Sequence, residues 1–390
     1  MPQRSEVGLV YATGLVQGLA LVTFPAVSSI FTSPDGYGFS ASRYGMMFVP
    51  QVILAILASS LGPSLARRCT LKRVLRAGMS ADLLAMILLA LSHLLAGGPA
   101  AAYGVLLVAT GALGFGFGTV VMALNTYAED FSPGREDRAV LSLNALLGAG
   151  TALAPLLVAI FTDLGAWWML PLTVATALAG LLLFSARQPL VASPGGATRS
   201  QHLPRRFWPF ATAVLLYGIA ETLNGNWSGP YLTSERGVSA GGASFALAAF
   251  WGMVTIGRVL FAALSTKTTV RWIYAGLPVL LIVAFQAILR IRGETSGIVA
   301  FGLAGLGCSA FFPLCISLSG QEFPQFAAAM SGELVAFYQA GYGVAAFGVG
   351  PLRDLTGRPL GMIYTIGTLV AAAMLMAALA VGVHGARARV

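Results

Sequence analysis

A carboxylate stands where it is costly to keep one. Glu221 lies in the stretch YGIAETLNGNWSGPYL, residues 217–232, inside an apolar run that opens at Phe207. If that run crosses a bilayer, a mid-helix carboxylate costs about 2.5 to 3.5 kcal/mol, so it persists only beside a cavity or a partner. At about 100° per residue, Tyr217, Glu221, Asn224, Gly225 and Ser228 fall on one stripe of a helix. A rise of about 1.5 Å per residue places Glu221 roughly 21 Å from Phe207, close to mid-bilayer. Two roles are open to it. It lines a central cavity, contacts a solute together with Tyr217, Asn224 and Ser228, and takes up and releases a proton; or it is a carboxyl group that only hydrogen-bonds between helices. Trp227 is either a stacking wall for that solute or a headgroup-level belt residue, the more usual fate of an outer-end tryptophan.

Other polar side chains fall at membrane depth: Gln17, Asn125, Asn144, Gln286, Tyr338, Gln339 and Tyr342. Gln17, Asn125, Asn144, Tyr338, Gln339 and Tyr342 are candidate solute contacts alongside the Glu221 stripe; the other reading, for a lone intramembrane amide the ordinary one, is glue between helices worth about 0.6 kcal/mol. Arg258 and Glu333 stand about 10 and 9 Å from the inner ends of their runs, a common depth that permits a salt bridge, either as a gate or as simple neutralisation. Asp82 is a further isolated acid of this kind.

Several chemistries are excluded. His93, His202 and His384 are the only histidines, and none has a metal-ligand or nucleophile spacing nearby, so no enzyme, metal or cofactor is expected. Gly114-x-Gly116-x-Gly118 sits inside an apolar run with no Gly-Lys-Ser/Thr after it, which reads as close helix packing rather than a phosphate loop. Cys69, Cys308 and Cys315 form no disulfide framework; the last two, about 10 Å apart on one helix, read as small hydrophobes. The Asn226-Trp227-Ser228 glycosylation triplet lies at or just below the membrane edge and is set aside.

The elements that must position these groups are membrane helices. The chain is 57% hydrophobic and 9% charged, against about 25% charged residues in a soluble domain. Runs long enough to span a bilayer fall near 7–31, 42–61, 77–96, 101–128, 137–161 and 167–186, then 207–232, 240–265, 270–290, 296–320, 327–350 and 359–384. Twelve helices in two sets of six are therefore predicted: an N-terminal bundle over 1–186, a cytoplasmic linker over 187–206 rich in Pro, Gly, Ser and Arg, and a C-terminal bundle over 207–390. The first run lacks a small-residue cleavage site and is read as a retained helix. The net charge of +9 does not point to nucleic acid, because the basic residues collect in alternate loops, as around Arg67, Arg68, Lys72, Arg73 and Arg76. That bias places both termini in the cytoplasm, in a bacterial inner membrane.

The two halves resemble each other. GFSA at 38 and GVSA at 237 each open the second run of their half, an offset of 199, while Gly116 and Gly307, Gly150 and Gly341, and Asp163 and Asp354 match at 191. A six-plus-six repeat of this kind resembles the major facilitator superfamily over the whole chain. Its loop signature Gly-x-x-x-Asp-Arg-x-Gly-Arg-Lys is partly present in GPSLARRCTLK: Gly62 and Arg67 fit, but Ala66 replaces the acid and Cys69 the second glycine. The resemblance implies a latch there, with Glu129 or Asp130 as partner to Arg67 or Arg68; a plain positive-inside patch is the other reading.

Within that superfamily the C-terminal half is similar to the fucose:proton symporter family. The similarity rests on YGIAETLNGNWS, on TIGRV around Gly257 and Arg258, and on SAFFPLCISL with Ser309, Pro313 and Ser317. In the N-terminal half Asn125 to Tyr127 partly match an Asn-Pro-aromatic motif. Leu21 and Val121 occupy the places where that family carries its two acids, so its coupling mechanism does not transfer. GTALAPL, 150–156, faintly resembles a drug-antiporter motif, with Ala154 in place of its second glycine.

These readings converge on a secondary transporter, a monomer in the bilayer, moving a small polar, sugar-like solute by alternating access, with proton coupling at Glu221. An exporter of hydrophobic drugs or metabolites and a non-transporting receptor on the same fold are the alternatives.

Overall fold

The computed structural model describes residues 3–133, 135–191, 205–264, 270–323 and 327–387. Among these residues fifteen α-helices follow one another: α1 (Arg4–Ala26), α2 (Ser28–Thr32), α3 (Ala41–Met46), α4 (Val49–Cys69), α5 (Leu71–Ser92), α6 (Pro99–Asp130), α7 (Glu136–Asp163), α8 (Met169–Arg187), α9 (Phe207–Glu235), α10 (Ala240–Leu264), α11 (Val270–Ile288), α12 (Glu294–Cys308), α13 (Phe311–Glu322), α14 (Ala327–Thr356) and α15 (Met362–Arg387). No strand occurs among the described residues. Every backbone amide inside lipid must be satisfied within its own segment, and the helix does this.

The predicted runs map onto these helices, and three of them are interrupted. Pro25 has no N–H to give to the ladder, and the chain turns at Val27 between α1 and α2. Met47 and Phe48 separate α3 from α4, and the tenth run breaks at Ser309 and Ala310, between α12 and α13. Among the described residues ten stretches are long and apolar enough to cross a membrane. The two long helices outside that group are α9 and α14, of 29 and 30 residues, and these carry Tyr217, Glu221, Asn224 and Ser228, and Tyr338, Gln339 and Tyr342.

The chain divides into two compact units, Met1–Ala197 and Thr198–Val390; most of the predicted linker, 192–204, lies outside the described residues. In the first unit α1 packs on α7, while α4 and α5 pack on α6. In the second, α9 packs on α14, α10 on α12, and α11 on both α12 and α15.

The helix crossings repeat from unit to unit, residue by residue. A Cβ at Gly18 would strike the Leu147 carbonyl, and one at Gly218 the Tyr338 carbonyl; Gly150 likewise sits on the Leu15 carbonyl and Gly341 on that of Leu215. The α1 and α9 members of these contacts are offset by 200 and the α7 and α14 members by 191. Gly114 against the Gln51 carbonyl corresponds in the same way to Gly305 against that of Phe250, at offsets of 191 and 199. Backbones this close leave no room for a side chain, which is how small residues permit helices to associate without a hydrophobic drive. Gly38 and Gly237, at φ +62° and +63°, take the same left-handed turn ahead of α3 and α10, a conformation that glycine adopts without a Cβ clash.

A candidate solute and proton site on α9

The second unit gathers its polar groups around Glu221. The carboxyl group is 5% exposed. It does not face lipid: the Tyr217 hydroxyl, one turn earlier on α9, donates to Oε1 at 2.6 Å, and the Tyr338 hydroxyl of α14 donates to Oε2 at 2.5 Å. This close approach of α14 depends on Gly218 and Gly341, which let the two backbones touch. Each carboxylate oxygen thus has its own phenol donor, from a different helix.

Aromatic rings wall the pair. The Tyr217 ring stacks on Phe311 and Phe312 with centroids 5.7 and 6.1 Å apart, and Phe312 also meets Tyr338 at 5.3 Å. Phe311 and Phe312 stand in this place because the tenth run breaks just before them. At this break the residue four on from Ser309 is Pro313, which has no N–H to give, and Arg258 Nε of α10 donates to the Ser309 carbonyl at 3.3 Å. That is where the structure sends Arg258, while Glu333 is exposed on α14.

Farther along α9, toward Glu235, the stripe continues. Asn224 gives its Nδ2 to the Ala220 carbonyl at 2.8 Å, but its Oδ1 and the Ser228 hydroxyl are buried with no hydrogen-bond partner. Between them Gly225 leaves space filled by the Trp251 indole of α10, whose Nε1 is likewise buried and unpaired. Trp251 was not among the residues picked out from sequence; an indole in the middle of a membrane helix, away from the interfaces tryptophan prefers, was the available signal. Asn226, set aside above, donates to the Tyr342 hydroxyl at 3.4 Å. Trp227 is not a belt residue: it is fully buried and donates its Nε1 to the Ala345 carbonyl at 3.0 Å.

The remaining candidates are dispersed. Asn125 and Asn144 each return Nδ2 to a carbonyl four residues back on their own helix, Val121 and Val140. Gln339 is half-buried on α14 beside Tyr338. Gln286 bonds Thr368 of α15, the glue role. Gln17 is fully buried in the first unit with neither amide atom paired. Arg67 donates to Ser64 of its own helix at 3.0 Å, and Glu129 is exposed at the end of α6. Cys308 and Cys315 are free and buried.

Residues 9–332 match the Major Facilitator Superfamily. The chain belongs to that superfamily. It is an integral membrane transporter and not an enzyme. No curated protein matches it in sequence. Solved members share its fold at low identity. The nucleoside transporter NupG superimposes with a TM-score of 0.76 at 14% identity, covering 96% of this chain and 99% of its own. The D-xylose-proton symporter gives 0.69 at 15%, covering 95% and 96%. The fucose:proton symporter FucP of E. coli gives 0.61 at 16%, covering 96% and 98%.

Proposed function

We propose that this superfamily member moves a small polar, sugar-like solute across a bacterial inner membrane by alternating access, with both termini cytoplasmic and with Glu221 coupling the movement to protons. The observation that carries the reading is the α9 stripe: a carboxyl group held by two phenols, followed by Asn224 Oδ1 and Ser228 Oγ without partners, with Trp251 Nε1 beside them. Buried polar groups are nearly always paired, and those that are not call for an explanation. A hydroxylated solute supplies both donors and acceptors, and an indole and a tyrosine ring are flat faces for a sugar ring. A lipid or an apolar drug would leave all three atoms bare. The structural relatives named for sugars and a nucleoside are consistent with a solute of this class.

The coupling follows from counting protons at Glu221. An ionised carboxylate only accepts hydrogen bonds, so both oxygens can take a phenol O–H, each such bond being worth about 1.5 to 3 kcal/mol. When a proton binds, one oxygen becomes a donor and a much poorer acceptor, so the hydroxyl aimed at it is held less well. Either Tyr338 turns its own proton away and accepts, or the contact between α9 and α14 loosens. Protonation is thereby linked to how α14 lies on α9.

The test is uptake into proteoliposomes by the purified chain, using whichever sugar, polyol or nucleoside raises its melting temperature. Glu221→Gln is expected to abolish accumulation driven by a pH gradient while keeping solute exchange. Full accumulation by that variant rules out the coupling role, and uptake of apolar dyes by energised everted vesicles in place of sugars rules out the solute class.

A further inference from the structure

The first unit holds a buried acid that the site on α9 does not use. Asp82 of α5 is completely buried, and neither of its oxygens has a hydrogen-bond partner. The side chain that engages it is Gln17 of α1, itself completely buried, whose Oε1 and Nε2 are both unpaired. The two lie alongside each other without closing a hydrogen bond. No charged group from α1, α4, α6 or α8 acts on Asp82 among the described residues. From α6 it meets Gly116, against whose Cα the carboxyl group rests, and nearby Thr119 gives its hydroxyl to the carbonyls of Phe115 and Gly116.

Four buried, orphaned polar atoms can be counted against their partners. An ionised Asp82 offers acceptors only. The Gln17 amide nitrogen could serve one carboxylate oxygen, but Gln17 Oε1 would then face a negative charge with nothing to accept, a burial that is costly without a counter-charge. One added proton resolves all four. The Asp82 O–H donates to Gln17 Oε1, and Gln17 Nε2–H donates to the other Asp82 oxygen, closing an acid–amide ring.

The internal repeat supplies an independent argument. At the offset of 199, Asp82 corresponds to Leu281, and at 191 Gly116 corresponds to Gly307. Leu281 packs on Gly307 as Asp82 packs on Gly116. A leucine therefore meets the packing needs of this position, and the acid is there for something else. At the offset of 200, Gln17 corresponds to Tyr217 and Leu21 to Glu221. Each unit thus carries one carboxyl group against the same position of its first long helix, drawn from α5 in one unit and from α9 itself in the other.

We propose that Asp82 and Gln17 form a second proton-binding site, an acid–amide pair that joins α5 to α1 while the proton is bound and separates them when it leaves. This inference stands apart from the role of Glu221.

Infrared spectroscopy of the full chain in lipid nanodiscs, in light and heavy water at neutral pH, tests it. A protonated-carboxyl C=O band that shifts on deuteration is expected in the parent and in Glu221→Gln, and is expected to vanish in Asp82→Asn. That variant should melt close to the parent, because an asparagine amide can complete the same ring with Gln17. If Asp82→Asn leaves the protonated-carboxyl region unchanged and removes only carboxylate absorption, Asp82 is ionised and the site does not exist. Should Asp82→Asn fail to fold, Gln17→Leu reads the same bond: the C=O band moves to higher frequency if the amide was bound to it, and an unmoved band overturns the pairing.

Discussion

Tyr217 and Tyr338 look equivalent as donors to Glu221, but they differ in what they join. The Tyr217 bond stays within α9, one turn from its acceptor, whereas the Tyr338 bond crosses from α14. Removing either hydroxyl leaves one carboxylate oxygen short of a donor, at about 1.5 to 3 kcal/mol for a charged acceptor. Thermal unfolding of Tyr217→Phe and Tyr338→Phe should therefore fall by comparable amounts. Only Tyr338→Phe should also change the pH dependence of transport, since only that bond ties protonation to the packing of two helices. Equal transport profiles in the two variants would count against the coupling scheme. Trp251→Phe keeps the ring that fills the space beside Gly225 but deletes the unpaired Nε1. Solute affinity, followed by the ligand-induced rise in melting temperature, should drop while the melting temperature without solute holds.

The helices are held by backbone contact at a few glycines, so equal substitutions should have opposite effects at different points of an element. Gly341→Ala drives a methyl group into the Leu215 carbonyl of α9, and the strand of rigid backbone there cannot yield as a flexible side chain can. Gly180, inside α8, has open space where its Cβ would be, so Gly180→Ala should gain about 0.5 to 1 kcal/mol from helix propensity alone. Thermal melts that fall for the first and hold or rise for the second bear this out; a fall at both would mean that the crossings are not what decides. The ends of elements are tied in another way. Glu6 accepts from the Gln3 amide through Oε2 and from the Leu190 amide through Oε1, each at 2.8 Å, and Tyr127 donates to the Leu190 carbonyl at 3.0 Å. Glu6→Ala strands a buried N–H at Leu190, a loss of about 1 to 3 kcal/mol, measurable as a lower melting temperature of the full chain.

At the scale of the molecule, the two units share their crossings but not their chemistry. The same positions hold Gly18 on Leu147 and Gly218 on Tyr338, so the second unit presents a phenol where the first presents leucine. Offsets of 200, 199 and 191 recover these pairs because insertions fall in the loops, where length can change without disturbing a packed backbone. The distribution of basic residues makes a further prediction about the whole chain: a reporter fused to the C-terminus should be read as cytoplasmic, on the same side as an N-terminal one. Opposite sides would mean an odd number of crossings.

Composition and spacing were sufficient for the membrane class, the approximate extent of the runs, the repeat and the presence of an acid in the middle of one run at Glu221, since hydropathy, periodicity of about 3.6 residues and the rarity of mid-membrane acids are all properties of local sequence. They were insufficient wherever two helices decide together. That Tyr338 rather than another residue reaches Glu221, that Arg258 turns to the Ser309 carbonyl, that Trp227 is buried, and that Trp251 and Asp82 meet unpaired neighbours all depend on which faces are brought together across tens to more than a hundred residues of chain. Depth along a helix can be counted from sequence. Rotation against a neighbouring helix is set by backbone contacts at glycines such as Gly218 and Gly341, and those exist only once the chain is folded.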